Sequence, residues 1–239
     1  MITTTEGRAG ISSLRRRLRQ GRAGPSWYLF ILLGIPALIL AGIAVQPGML
    51  AGFKGLPPLL LVSYPLTYVA VFFGGGPLGE EIGWRGFALP RMQPRYGPLR
   101  GTLLLGVLWT FWHLPDFLTP AQGGGPGTAL ATVGTNLLMF LLLVTAIAIL
   151  ITWVFNCTQG SVFIAILAHA SVNTPQVVLV PLFPAVQATS LNLAALIGLG
   201  VPAFLVAILT HGRLGYQGPP SVRVEDPLHL GRIAREGQG

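Results

Sequence analysis

Between Gly7 and Val224 this chain holds only three acidic residues, Glu80, Glu81 and Asp116. No other feature narrows its possible folds as sharply. A soluble domain clothes its surface with charge, ordinarily about 25% of its residues, whereas only 9% of these 239 residues are charged and 52% are hydrophobic. A disordered chain needs low hydrophobicity, and here the mean hydropathy is +0.67. Both water-soluble and disordered readings fail, and the composition points to an all-α, polytopic transmembrane helical bundle. The single cysteine, Cys157, excludes an intrachain disulfide and a cysteine-rich metal site. The formal net charge of +8 collects at the chain ends: Arg8, Arg15, Arg16, Arg17, Arg19 and Arg22 precede the first apolar run, and Arg213, Arg223, Arg232 and Arg235 follow the last. Basic residues flanking spans set topology or meet anionic lipid, so no nucleic-acid partner is expected.

A span needs about 17–25 apolar residues. Residues 27–45 and 56–73 supply two, the second stopped by Gly74-Gly75-Gly76-Pro77. The arginine-rich flank of the first resembles a secretory signal, but the run is long and no small-residue cleavage site follows, so it is read as a retained helix. Residues 78–96 are amphipathic and unusually polar; Gly97-Pro98 breaks them from the apolar stretch 99–114. A glycine-rich loop over 115–127 leads to the longest apolar run, 128–155, and then to 161–180 and 188–210. The expected organisation is a basic cytoplasmic arm (1–26), one membrane domain (27–210) and a polar, disordered tail (211–239). The bundle has six to seven membrane helices, depending on whether 78–96 crosses. The positive-inside rule puts the amino terminus in the cytoplasm. Seven crossings would place Arg91, Arg95 and Arg100 outside, and six would keep them inside.

Ionisable side chains at membrane depth cost roughly 2.5–3.5 kcal/mol each on insertion scales and are functional by default. Here they form three short clusters: Gly79-Glu-Glu-Ile-Gly-Trp-Arg-Gly86, Trp109-Thr-Phe-Trp-His113 and His169-Ala-Ser-Val-Asn173. On a helix Glu81 and Arg85 are i,i+4 and can pair, which leaves Glu80, pointing about 100° away, available for chemistry. Glu80 precedes the Gly97-Pro98 turn by about as many residues as His113 follows it, so antiparallel helices would bring them level. His169 and Asn173 are also i,i+4 and share a face. Glutamate, two histidines and asparagine meeting in a bundle interior could activate water, with a bound metal or with Glu80 as general base. Blander roles exist for each: His113, His169 and Asn173 as interhelical hydrogen-bonding groups, Arg85 as purely structural, Trp84, Trp109 and Trp112 as packing or interfacial aromatics. Asp116, in a loop after a proline, receives no role, and His211 and His229 are read as solvated.

Glu80-Glu81-x-x-x-Arg85, Phe111 and Trp109 before His113, and His169-x-x-x-Asn173 resemble, in type and order, the motifs of the CPBP family of intramembrane proteases. That family includes the type II CAAX prenyl endopeptidases and bacteriocin-processing and immunity proteins. Trp109 stands where the family usually has Phe. The resemblance implies an intramembrane endopeptidase acting on membrane-associated or lipidated protein or peptide substrates. It further implies that Glu80 activates the attacking water, that His113 shares that water or a metal, and that His169 and Asn173 complete the site. Glu81, counted with the catalytic group, would hold the first helix through Arg85. Glu80, His113 and His169 match a catalytic zinc set of two histidines and a carboxylate, and the same residues can act without metal. Two other classes stay open: a transporter using the cluster as a proton or cation site, and a non-catalytic membrane scaffold or immunity protein of the same fold. The expected location is the bacterial cell membrane, multi-pass.

Overall fold

Prolines punctuate this chain. Pro25, Pro77 and Pro98 each open a helix at its first turn, where the missing amide hydrogen leaves no bond unmade. The computed structural model of the protein describes residues 7–119, 124–186 and 188–218. Among them the regular structure is helical, with no strand. Eight helices follow one another: α1 (Gly7–Arg19), α2 (Pro25–Ala44), α3 (Leu60–Gly74), α4 (Pro77–Tyr96), α5 (Pro98–Trp112), α6 (Leu130–Cys157), α7 (Val162–Val178) and α8 (Ala188–Leu209). Seven of them match the expected apolar segments to within a few residues. The eighth, α1, lies in the stretch read as a basic arm.

Two helices contain a wider, π-type turn, Phe30–Gly34 in α2 and Trp84–Ala88 in α4. Each ends just short of a proline, Pro36 and Pro90. A proline inside a helix lacks one donor and its ring collides with the carbonyl four residues back. Loosening the preceding turn relieves both problems without ending the helix. In α4 that loosened turn contains Arg85.

Packing follows from small residues and branched apolar ones. Ile31, Ile35, Ile39 and Ile43, at every fourth position of α2, are each no more than 2% exposed. Against this stripe lies α8, and the backbones touch: a Cβ on Gly42 would lie 1.9 Å from the Ala194 carbonyl oxygen, and one on Gly198 2.0 Å from that of Leu38. Such close approach is how membrane helices associate when lipid is as apolar as the side chains. Trp153 of α6 packs edge-on against Trp27 and Phe30 of α2, with ring centroids 4.9 and 5.7 Å apart. The second half of α6 is the buried centre of the bundle. Outward, large apolar side chains such as Leu61 (82% exposed) and Phe204 (65%) face the surroundings, as lipid contact requires. The protein is an integral membrane protein.

Three single helices, α2, α6 and the Ser190–Leu209 portion of α8, are long and apolar enough to cross a bilayer. The pair α3 and α4, bent by 43° at the break between them, passes the same test only when taken together, as a broken span or a re-entrant loop would. Of the remaining apolar helices, α5 with 15 residues is shorter than a straight span and α7 with 17 is at the lower limit of one. Polar contacts gather one end of the bundle. Gln20 after α1 donates to the Thr158 carbonyl between α6 and α7, Gln93 near the end of α4 pairs with Asn156, and Asn156 also donates to the Leu214 carbonyl. The α4–α5 turn, with Arg91, Arg95 and Arg100 around it, therefore sits at the same end as α1. Residues 211–218, expected to begin a disordered tail, instead turn back so that Leu214 is buried; residues 219–239, with His229, lie outside the described residues, as do 1–6 of the basic arm.

Gly198→Leu should lower the melting temperature of the detergent-purified protein by at least several degrees, because neither backbone can yield. Gly134→Ala in α6, whose added Cβ meets nothing within 4 Å, should leave it unchanged or slightly raised.

Candidate active site

The start of α4 carries both glutamates, Glu80 in its first turn and Glu81 just after it, and they part company. Glu81 is fully buried, with one oxygen, Oε1, serving two donors: Arg85 Nη1 at 2.8 Å and His169 Nδ1 at 3.0 Å. Arg85, equally buried, also donates to the Ala148 carbonyl at 3.3 Å and lies 5.1 Å from the centre of the Trp109 ring. Two opposite charges out of water are tolerable only when paired and hydrogen-bonded, and this cluster ties α4, α6 and α7 together at one point. An ionised carboxylate can only accept, so at this contact His169 Nδ1 is the donor.

Glu80, one residue earlier, faces a cavity of about 360 Å³ lined also by Trp109, His113, His169, Asn173 and Asp116. Its Oε2 accepts from the Trp109 indole at 2.6 Å and lies 3.8 Å from His113 Nε2. His113 is the residue that ends α5, because Pro115 cannot continue a helix; a 3-10 turn, Leu114–Leu118, follows and brings Asp116 Oδ2 to 2.9 Å from His113 Nδ1. Each histidine thus has one nitrogen held by a carboxylate. Gly76 is required beside Glu80: its φ of 97° favours glycine, and a Cβ there would lie 2.6 Å from Glu80 Oε1.

Of the residues singled out in the sequence, Glu80, His113, His169 and Asn173 share this cavity, and Glu81 with Arg85 forms the ion pair beneath it. Glu81 reaches the cavity only through His169. Two contributors escaped the sequence reading. Asp116 received no role, although the i,i+3 spacing His-x-x-Asp after a proline was the available signal. Trp109 was read as packing, yet it supplies the hydrogen bond to Glu80. As for a metal, Glu80 Oε2 and His113 Nε2 face each other 3.8 Å apart, but among the described residues no three His, Cys, Asp or Glu side chains are grouped to hold an ion. The three-residue ligand set is not assembled in this geometry.

Residues 62–175 match the family described as type II CAAX prenyl endopeptidase Rce1-like. All three motifs fall inside the match, so the resemblance read from them is borne out. The chain is also 30% identical over 149 residues to a protein named CAAX prenyl protease 2 from Methanococcus maripaludis. That alignment covers 62% of this chain and 50% of the relative, so the chain spans about half the length of the curated relative it matches.

Two substitutions separate the site's structural and reactive parts. Arg85→Leu leaves Glu81 as a lone buried charge and should cost at least about 3 kcal/mol, read as a large fall in melting temperature. Trp109→Phe removes one bond to a charged acceptor while keeping a ring. It should leave melting nearly unchanged and lower any Glu80-dependent turnover by roughly tenfold or more.

Proposed function

We propose that this protein is an intramembrane endopeptidase that hydrolyses peptide bonds of membrane-associated or lipidated protein substrates, using water activated by Glu80. The observation that carries this reading is the facing pair of Glu80 Oε2 and His113 Nε2, 3.8 Å apart within a cavity among apolar helices. The gap is too long for a direct hydrogen bond and suits a water held between the two. Glu80 takes a proton from that water as its oxygen bonds the scissile carbonyl carbon. His113, its Nδ1 donating to Asp116, accepts a hydrogen bond from the water's remaining O–H, which stays on the attacking oxygen, and so orients the attack. Asn173, whose amide is a donor at any pH, supports the oxyanion, and His169 holds the adjoining wall. Glu80 then delivers its proton to the leaving nitrogen as the C–N bond breaks. Trp109 aims Glu80, and Glu81 with Arg85 fixes His169.

The kinship of residues 62–175 with CAAX endopeptidases supports a substrate bearing a lipid near the cut. A membrane location for both the site and the lipid gives the same answer, since the lipid would hold the peptide at the depth of Glu80.

The test is cleavage of fluorogenic peptides, lipidated and plain, by the detergent-purified protein beside Glu80→Gln, with and without chelator. The expected result is cleavage by the wild type, loss by more than about a hundredfold in Glu80→Gln, and indifference to chelator. Loss with chelator and return with zinc would replace the glutamate-dependent mechanism by a metal-dependent one. Cleavage surviving in Glu80→Gln would overturn the proposal.

A further inference from the structure

α1 is amphipathic in an unusual sense: its two faces are arginine and leucine. Leu14 and Leu18, four residues apart, turn inward onto the core of the bundle, Leu14 against Gly86 and the neighbourhood of Val162. The helix is clamped there from its end as well. The Ser161 hydroxyl donates to the Gln20 carbonyl at 2.5 Å, and Gln20 donates to the Thr158 carbonyl at 3.4 Å. With its apolar face spent on the protein, α1 does not lie on lipid as a free interfacial helix would. What it presents outward is fixed in place.

That outward face is cationic. Arg8, Arg15, Arg16 and Arg19 recur at helical spacing, and with Arg22 and Gln159 they line an open cleft of about 1180 Å³. All five arginines are exposed. No acidic residue among the described residues lines the cleft, and the three described carboxylates, Glu80, Glu81 and Asp116, are all committed to the active site. Arg15 and Arg19 are i,i+4, a like-charge spacing that weakens a helix unless an anion intervenes. The arginine fork matches phosphate oxygens two at a time.

The level of the cleft identifies the phosphate's source. Arg19 is followed within one short connection by Pro25, where the first long apolar helix begins, and Trp27 and Tyr28 sit in its first turn, the position of an aromatic belt at a membrane surface. The cleft therefore opens at headgroup height. We propose that α1 and the α6–α7 turn form a binding site for the phosphate headgroup of an anionic phospholipid. The site is distinct from the active-site cavity, which shares none of its residues. It gives the basic residues of α1 a defined cleft where the sequence gives only a choice between topology and general attraction to anionic lipid.

Thermal unfolding of the full chain in neutral detergent tests this, with dioctanoyl-phosphatidylglycerol, dioctanoyl-phosphatidylcholine and inorganic phosphate as separate probes. Phosphatidylglycerol in excess should raise the melting temperature by roughly 3 °C or more through binding to the folded state, and phosphatidylcholine should not. The doubly substituted Arg15→Gln, Arg19→Gln protein should lose most of that shift, while Arg100→Gln, at the same end but outside the cleft, should retain it. Arg15→Lys with Arg19→Lys, which keeps charge and removes the forks, should fall between and also guards against misfolding of the Gln variant. Equal shifts from phosphatidylglycerol and inorganic phosphate would overturn the lipid assignment. Equal losses in the Arg100 and the Arg15/Arg19 variants would overturn the cleft, leaving diffuse charge as the cause, and no shift in the wild type would overturn both.

Discussion

The arrangement rests on one shared oxygen. Glu81 Oε1 accepts from Arg85 and from His169, and all three side chains are almost wholly out of contact with solvent. An apolar bundle gives helices little reason to choose one rotation about their axes over another. A buried charge does, since any rotation that breaks it leaves an ion without a partner. The pair sets the rotation of α4, and through His169 that of α7. Glu80 is then left facing the cavity by simple helical geometry, one residue out of step with the anchor. Adjacent carboxylates so divide into one that holds the frame and one with an oxygen toward His113.

Much of this could be read from the residues. The seven apolar stretches are separated by Gly and Pro clusters strong enough to place the breaks. The i,i+4 spacing of Glu81 and Arg85 led directly to their ion pair, and the near-equal distances of Glu80 and His113 from Gly97 led to their meeting across the α4–α5 turn. Such inferences succeed because they need only one helix, or two helices joined by a tight turn. The family match over residues 62–175 covers the same ground.

What escaped depends on long-range placement. Trp109 shares a face with many apolar neighbours, and nothing local distinguishes an indole that packs from one whose N–H meets a carboxylate on the preceding helix. Asp116 had a spacing signal, but its value depends on α5 ending at Trp112 so that the following turn curls back. The loosened turns of α2 and α4 show at sequence level only as prolines that ought to break a helix and do not. For α1, high charge hid the two inward leucines; a helix so short and basic would not hold alone, and only its docking on Gly86 and the α6–α7 turn makes it one.

The contact between Gly42 and Gly198 has a bearing on assembly. It joins α2 to α8, the first and last of the long apolar helices described, and it brings backbone against backbone with no side chain between. During synthesis α2 enters the membrane long before its partner exists. Until α8 arrives, the groove at Gly42 can be filled only by lipid. The bundle is therefore closed by α8, like a clasp, and a nascent chain halted before Gly198 would hold Glu80, His113, His169 and Asn173 in an unfastened frame.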